Sequence, residues 1–164
     1  MRLLIIRHAV AVSRGTPGIA DNERPLTPEG EERFARAARG LARFVPPPEV
    51  MLTSPLPRAR RTAEIASEAW GGVDVQDEAS LAGGSFTSLE KALSRYPDNA
   101  SVAIVGHEPF LSELLAALVG ASDGDPLTFR KGGAACVEME GPLAEGGRLL
   151  WYIPPKMLRA YAKA

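Results

Sequence analysis

The chain has only two histidines among its 164 residues, His8 and His107, and each stands just past a short apolar run. Arg7 directly precedes the first. Arg58 follows a third apolar run, Val50-Met51-Leu52, through Ser54-Pro55-Leu56-Pro57. Two imidazoles with two guanidiniums suit a tetrahedral dianion. Guanidiniums carry forked donors matched to phosphate oxygens, and helix N-termini add backbone N–H groups. Phosphoryl transfer asks a protein chiefly for positioning and for charge on the equatorial oxygens. A neutral imidazole is a competent nucleophile toward phosphorus and divides hydrolysis into two steps. Competing chemistries lack motifs. Two His and one Cys, with no HExxH, CxxC or His-x-His spacing, do not make a zinc ligand set, so no metal is expected. No GxGxxG and no GxxxxGK[ST] is present, and no cofactor is expected.

Four such groups act together only if the chain's elements bring them to one rim. Leu3-Leu4-Ile5-Ile6 and Val102-Ala103-Ile104-Val105 are continuous apolar runs, the pattern of parallel strands buried on both faces. His8 and His107 then lie at the carboxyl ends of two strands, where open α/β sheets keep their ligand crevice. Val50–Leu52 reads as a third strand that delivers Arg58 to the same rim at the start of a helix. A long Gly/Pro/Asp/Asn-rich loop runs from about Ala9 to Leu26. Thr27 as N-cap and Pro28 at the first helical position open a helix. Its predicted apolar face is Phe34, Ala37, Ala38, Leu41, Phe44 and Val45, and Pro46-Pro47-Pro48 stops it. The helix near Leu56 buries Ala59, Ala63, Ala66 and Trp70. Between Gly71 and Ala100 only a helix at Ser88–Tyr96 is predicted. Pro109 opens a helix with Phe110, Leu111, Leu114, Leu115 and Leu118 on one face. Residues 134–140 and 148–153 read as a terminal hairpin, followed by a short helix after Pro155. The alternation of strand and helix predicts one α/β domain over residues 1–164, with a mostly parallel central sheet and helices on both faces.

Arg7-His8-Ala9, Ser54-Pro55-Leu56-Pro57-Arg58-Ala59 with Thr62-Ala63, and Gly106-His107-Glu108-Pro109 resemble the signature of the histidine phosphatase (phosphoglycerate-mutase-like) superfamily. Small size, Ala9 where most branches carry Gly, and the stretch Asp21 to Gly30 resemble its SixA-type phosphohistidine phosphatases. The resemblance implies that His8 attacks phosphorus and carries the phosphoryl group, while Arg7, Arg58 and His107 bind its oxygens. A backbone acceptor is expected to fix one ring N–H of His8. His107 serves best as a cation, so the two imidazoles are expected to titrate differently. Larger members of the superfamily have a carboxylate general acid before the second histidine, and here no carboxylate falls clearly into that slot. An alkoxide leaving group needs a proton in the transition state, whereas an imidazole can leave already protonated. The site is therefore expected to favour phosphoramidates. Asp21, Arg24, Glu78 and Glu108 are candidates for the substrate mouth, with Glu78 and Glu108 the candidate acids.

The predicted function is a metal-independent protein phosphohistidine phosphatase. Its alternatives are a phosphatase of sugar or nucleotide phosphates and a non-catalytic phosphate-binding module. Mutase activity fits less well, because no long insertion exists to close over a released intermediate. Taken singly, each residue has a structural reading: Arg7 and Arg58 as surface charges, Asp21 and Arg24 as ties for a loop, Glu108 as a helix cap. Nineteen Lys and Arg against twenty Asp and Glu leave a net charge of −1, which directs the chain to neither nucleic acid nor an anionic membrane. One cysteine allows no internal disulfide, and no apolar run approaches the ~20 residues that span a bilayer. A cytoplasmic protein is expected, monomeric or weakly dimeric, meeting a phosphohistidine-bearing protein or a small phosphorylated metabolite.

Overall fold

The structure, a computed structural model, describes residues 1–121 and 127–163. Its centre is a six-stranded sheet in the order β3-β2-β4-β1-β5-β6. The strands are β1 (Arg2–Arg7), β2 (Val50–Thr53), β3 (Val75–Asp77), β4 (Ser101–Gly106), β5 (Ala134–Glu138) and β6 (Arg148–Ile153). The first four strands in that order run parallel, and β5 and β6 add an antiparallel hairpin beside β1.

Period-2 alternation along β1 divides its side chains between two cores. Leu3 and Ile5 join Val50, Leu52, Val102 and Ile104 on one face. Leu4 and Ile6 join Met51, Ala103 and Val105 on the other. The first face is covered by α4 (Phe86–Leu93) and α5 (Phe110–Val119), and the second by α1 (Pro28–Phe44), α2 (Pro57–Ala69) and α6 (Pro155–Tyr161). Both faces are thus shielded, which is why the central strands read as unbroken apolar runs. Thr27 caps α1 by accepting from Gly30 N at 2.9 Å. Gly40 lets α1 and α6 approach closely, since a Cβ there would lie 1.8 Å from the Leu158 carbonyl oxygen.

Three predicted details differ. Phe44 is 38% exposed rather than buried, because α1 ends there; its ring instead meets Trp151 and Tyr161 at centroid distances of 5.2 and 5.7 Å. Trp70, predicted among the residues that helix α2 buries, is only half-buried at its C-terminal cap, where its Nε1 donates to the Val45 carbonyl at 3.0 Å. The helix predicted at Ser88–Tyr96 begins earlier and ends at Leu93, because Ser85 caps it through a 3.2 Å bond from Ser88 N. Strand β3 and the one-turn helix α3 (Ser80–Gly83) fill the stretch before it.

Candidate active site

Register explains why the two histidines meet. In the parallel pair β1/β4, Arg7 lies opposite Gly106, so the next residues, His8 and His107, leave the sheet side by side. Their ring centroids are 5.0 Å apart. The ends are tied together, with His8 N donating to the Gly106 carbonyl at 3.1 Å. Gly132, at φ 76°, turns its N–H onto the Arg7 and His8 carbonyls at 3.0 and 3.1 Å and so fixes the exit of β1. Arg58 arrives from the neighbouring strand β2, in the first turn of α2. The cleft of about 310 Å³ at this rim is lined by Arg7, His8, Arg58 and His107, by Arg24 and Glu108, and by Ser13, Arg14 and Lys131. All four residues of the expected phosphate set are brought together.

His8 is 6% exposed, and its Nδ1 lies 2.7 Å from the Ala9 carbonyl, which can only accept. That contact fixes the proton on Nδ1 and leaves Nε2 as the unprotonated nitrogen. Burial, opposed by the Ala9 contact and helped by the nearby cations, pushes His8 down to about 3. Ala9 is held in turn by Thr62, a residue of α2 whose Oγ1 accepts from Ala9 N at 3.0 Å and donates to the Arg58 carbonyl at 2.6 Å. One hydroxyl thereby connects the loop behind His8 to the helix turn that carries Arg58.

His107 Nε2 lies 2.8 Å from Ser54 Oγ, and its Nδ1 is buried without a hydrogen-bond partner. Burial first, then Arg58, pushes His107 down to about 4. In the unliganded cleft both imidazoles are thus held toward their neutral forms, His8 more strongly than His107. Desolvation and three guanidiniums outweigh the isolated residue's affinity for a proton. The charge of a bound dianion acts in the opposite direction.

Arg58 is 5% exposed, with Nη1 on the Asp21 carbonyl at 2.8 Å. Arg7 donates from Nη1 to the Phe129 carbonyl. Burial lowers both guanidiniums, yet they stay charged. The Nε of each is buried without a partner, donor capacity that an oxyanion at the rim can use. Of the two roles open to Asp21, mouth or loop tie, the structure shows the loop tie. Its exposed carboxylate is not part of the cleft wall; it ties Arg14 and Arg24 at 2.9 and 3.0 Å, bonds that hold it below the usual carboxylate range. Arg24 ties the loop through the Val12 carbonyl at 2.8 Å and also lines the cleft. Glu108 lines the cleft, but its oxygens accept from Ser112 Oγ at 2.5 Å and Phe129 N at 3.0 Å.

Glu78 is a correction. It is not among the residues lining the cleft, because β3 sits at the sheet edge, three strands from β1. Its carboxylate accepts from Ser80 N and Oγ at 3.1 and 2.8 Å and pairs with Arg95 at 2.9 Å. Arg14 and Lys131 line the cleft unpredicted, since each comes from a loop with no periodic or motif signal. Among the described residues, no helix is long and apolar enough to cross a membrane.

Comparison with known proteins agrees with this geometry. The family model described as histidine phosphatase superfamily (branch 1) matches residues 3–92, a stretch that contains Arg7, His8 and Arg58. An uncharacterized protein from Picosynechococcus is 36% identical over 137 residues, covering 81% of this chain and 82% of the relative. A structure of the protein histidine phosphatase SixA complexed with tungstate is 26% identical, covers 96% of this chain and 99% of its own, and superposes with a TM-score of 0.76. A SixA structure from Agrobacterium tumefaciens reaches a TM-score of 0.77 at 24% identity, over 94% of this chain and 97% of the other, and shows the shared fold. The paired imidazoles, the buried guanidiniums and the match across more than half the chain together make this protein a phosphatase of the histidine phosphatase superfamily, branch 1.

Proposed function

We propose that this phosphatase hydrolyses phosphohistidine on proteins through a covalent phosphohistidine at His8. The carrying observation is the His8 ring, with Nδ1 engaged by the Ala9 carbonyl and Nε2 available in a cleft of guanidiniums. In the first step Nε2 attacks phosphorus in line; a P–N bond to His8 forms as the P–N bond to the substrate imidazole breaks. Arg7, Arg58 and His107 bind the three equatorial oxygens throughout. In the second step water attacks the phosphoryl group. The P–N bond to His8 breaks as the water oxygen bonds to phosphorus; inorganic phosphate leaves as the monoanion H2PO4−, carrying the water's oxygen and both its protons, and His8 regains its lone pair. No step is assigned to a metal.

The state of the carboxylates supports phosphohistidine over an alkyl phosphate. Glu108, the carboxylate that lines the cleft among the described residues, has one oxygen engaged by Ser112 Oγ and the other by Phe129 N, so both are committed within the protein rather than turned to a leaving group. An imidazole already protonated on its ring departs as a neutral molecule and needs no enzyme acid, whereas an alkoxide does. The SixA structures supply a precedent for the substrate class in relatives of about this size. Rates measured with chelator present on a phosphohistidine protein, p-nitrophenyl phosphate and a sugar phosphate test the reading. Turnover of the first two without the third is the expected result. Brisk turnover of the sugar phosphate would instead establish a small-molecule phosphatase with a working acid. Phosphate binding without any turnover would leave a binding module.

A further inference from the structure

Beside the cleft lies a second groove, of about 380 Å³. Lys131 belongs to the walls of both. The groove's accessible apolar lining is Val10 with half-buried Pro154 and Pro155, and its walls carry Arg33, Arg130, Lys131, Lys156 and Arg159. Lys156 and Arg159 also wall the next depression, whose remaining cations are Arg36 and Lys163. Among the described residues, no carboxylate lines either depression. Arg33 and Arg36 pair along α1 with Glu29 and Glu32 at 3.0 and 3.2 Å, but those carboxylates are 75 and 72% exposed, so the pairs compensate little. Arg159 is held below the ordinary arginine range by burial and then by Arg33 and Arg36, a sign of crowded positive charge. In a chain of net charge −1 this is segregation, not overall basicity.

On the reading given above for the cleft, we infer that the groove between α1 and α6 docks an acidic segment of the phosphoprotein substrate. The segment runs past Lys131 while its phosphohistidine enters the cleft. A small phosphorylated metabolite would occupy the cleft alone and leave the groove's cations without a role. An acidic peptide with one or two apolar side chains matches both the walls and the apolar lining. Nucleic acid would meet the cationic walls but finds no stacking platform, since strand binding also uses exposed aromatic rings and the aromatic residue lining the groove, Phe34, is 3% exposed.

The test uses two phosphohistidine peptides, one flanked by Asp and Glu and a matched one flanked by Asn and Gln. Wild-type kcat/KM should favour the acidic peptide by about tenfold or more at low salt, and added salt should shrink that preference. The double variant Lys156→Glu with Arg159→Glu should abolish it while turnover of p-nitrophenyl phosphate stays within about twofold. Fluorescence anisotropy of the labelled, unphosphorylated acidic peptide should report a parallel loss of binding. If neither phosphopeptide is hydrolysed yet the unphosphorylated peptide still binds through Lys156 and Arg159, docking stands and the phosphohistidine reading falls. Equal kcat/KM on both peptides, equal losses on p-nitrophenyl phosphate, or tighter binding of a single-stranded RNA than of the peptide would overturn the inference.

Discussion

Thr62→Val keeps the shape of the side chain and removes only its hydroxyl. Thr62 is fully buried, and Ala9 is 2% exposed. The buried Ala9 N–H loses its 3.0 Å acceptor, and an orphaned buried donor costs about 1–3 kcal/mol. The Arg58 carbonyl loses less, because as a helical carbonyl it keeps its backbone donor. For a chain of this size each kcal/mol lowers Tm by about 2–4 °C, so the expected drop is about 2–12 °C. Catalysis should suffer separately. Ala9 carries both the N–H that Thr62 holds and the carbonyl that orients His8 Nδ1 at 2.7 Å. A displacement of about 1 Å there can cost about 100-fold in kcat. A thermal melt and p-nitrophenyl phosphate kinetics read the two effects, and Thr62→Ser, which keeps the Oγ, should recover most of kcat. A Thr62→Val protein with unchanged Tm and unchanged kcat would refute the strut, as would a serine variant no better than the valine one.

Other perturbations have equally defined outcomes. His8→Ala should lower turnover by more than about 10³-fold, on the scale of a lost covalent nucleophile, with the far-UV spectrum retained; substantial residual turnover would remove His8 from that role. With His8 and His107 pushed down to about 3 and about 4, each binds its proton less readily folded than unfolded. Their neutral forms favour the native state fully above about pH 6.5, and stability is lost as pH falls from there toward 4 and 3. Imidazole NMR should therefore find both rings neutral at pH 6, and inorganic phosphate should raise the titration of His107; a ring charged at pH 7 without phosphate contradicts this. Glu108→Gln preserves an acceptor for Phe129 N, so kcat on p-nitrophenyl phosphate should change less than about threefold, whereas a general acid would show a loss growing with leaving-group basicity. Gly40→Ala would drive a Cβ to 1.8 Å from the Leu158 carbonyl oxygen and should destabilise by about 1–3 kcal/mol in a urea melt.

What could be read in advance followed the strength of local signals. Strands β1 and β4 are unbroken apolar runs because the sheet buries both of their faces, and residues at their ends acquire positions from topology alone. Helix α1 announces itself through Thr27 and Pro28. Edge strand β3 is three residues, half-buried Val75 and exposed Gln76 and Asp77, too short to make a pattern. Without β3 in view, neither the strand end that carries Glu78 nor the Ser80 and Arg95 partners of its carboxylate can be read from the sequence. Arg14 and Lys131 reach the cleft from loops, where reach depends on path and not on periodicity. The titration of His107 is illegible for another reason: a sequence lists the cations but not the burial that makes a further one costly. Thr62 was visible in the motif, yet its two hydrogen bonds emerge only when α2 is docked beside the end of β1.

The nucleophile itself can be caught. The enzyme mixed with a ³²P-labelled phosphohistidine protein and quenched in base within one turnover should carry label that is stable to alkali and lost in acid, as a phosphoramidate is. Peptide mapping should locate it on His8, and His8→Ala should acquire none. Label on His107 or on a carboxylate, or full turnover with no labelled enzyme at any quench time, would contradict a phosphohistidine intermediate at His8.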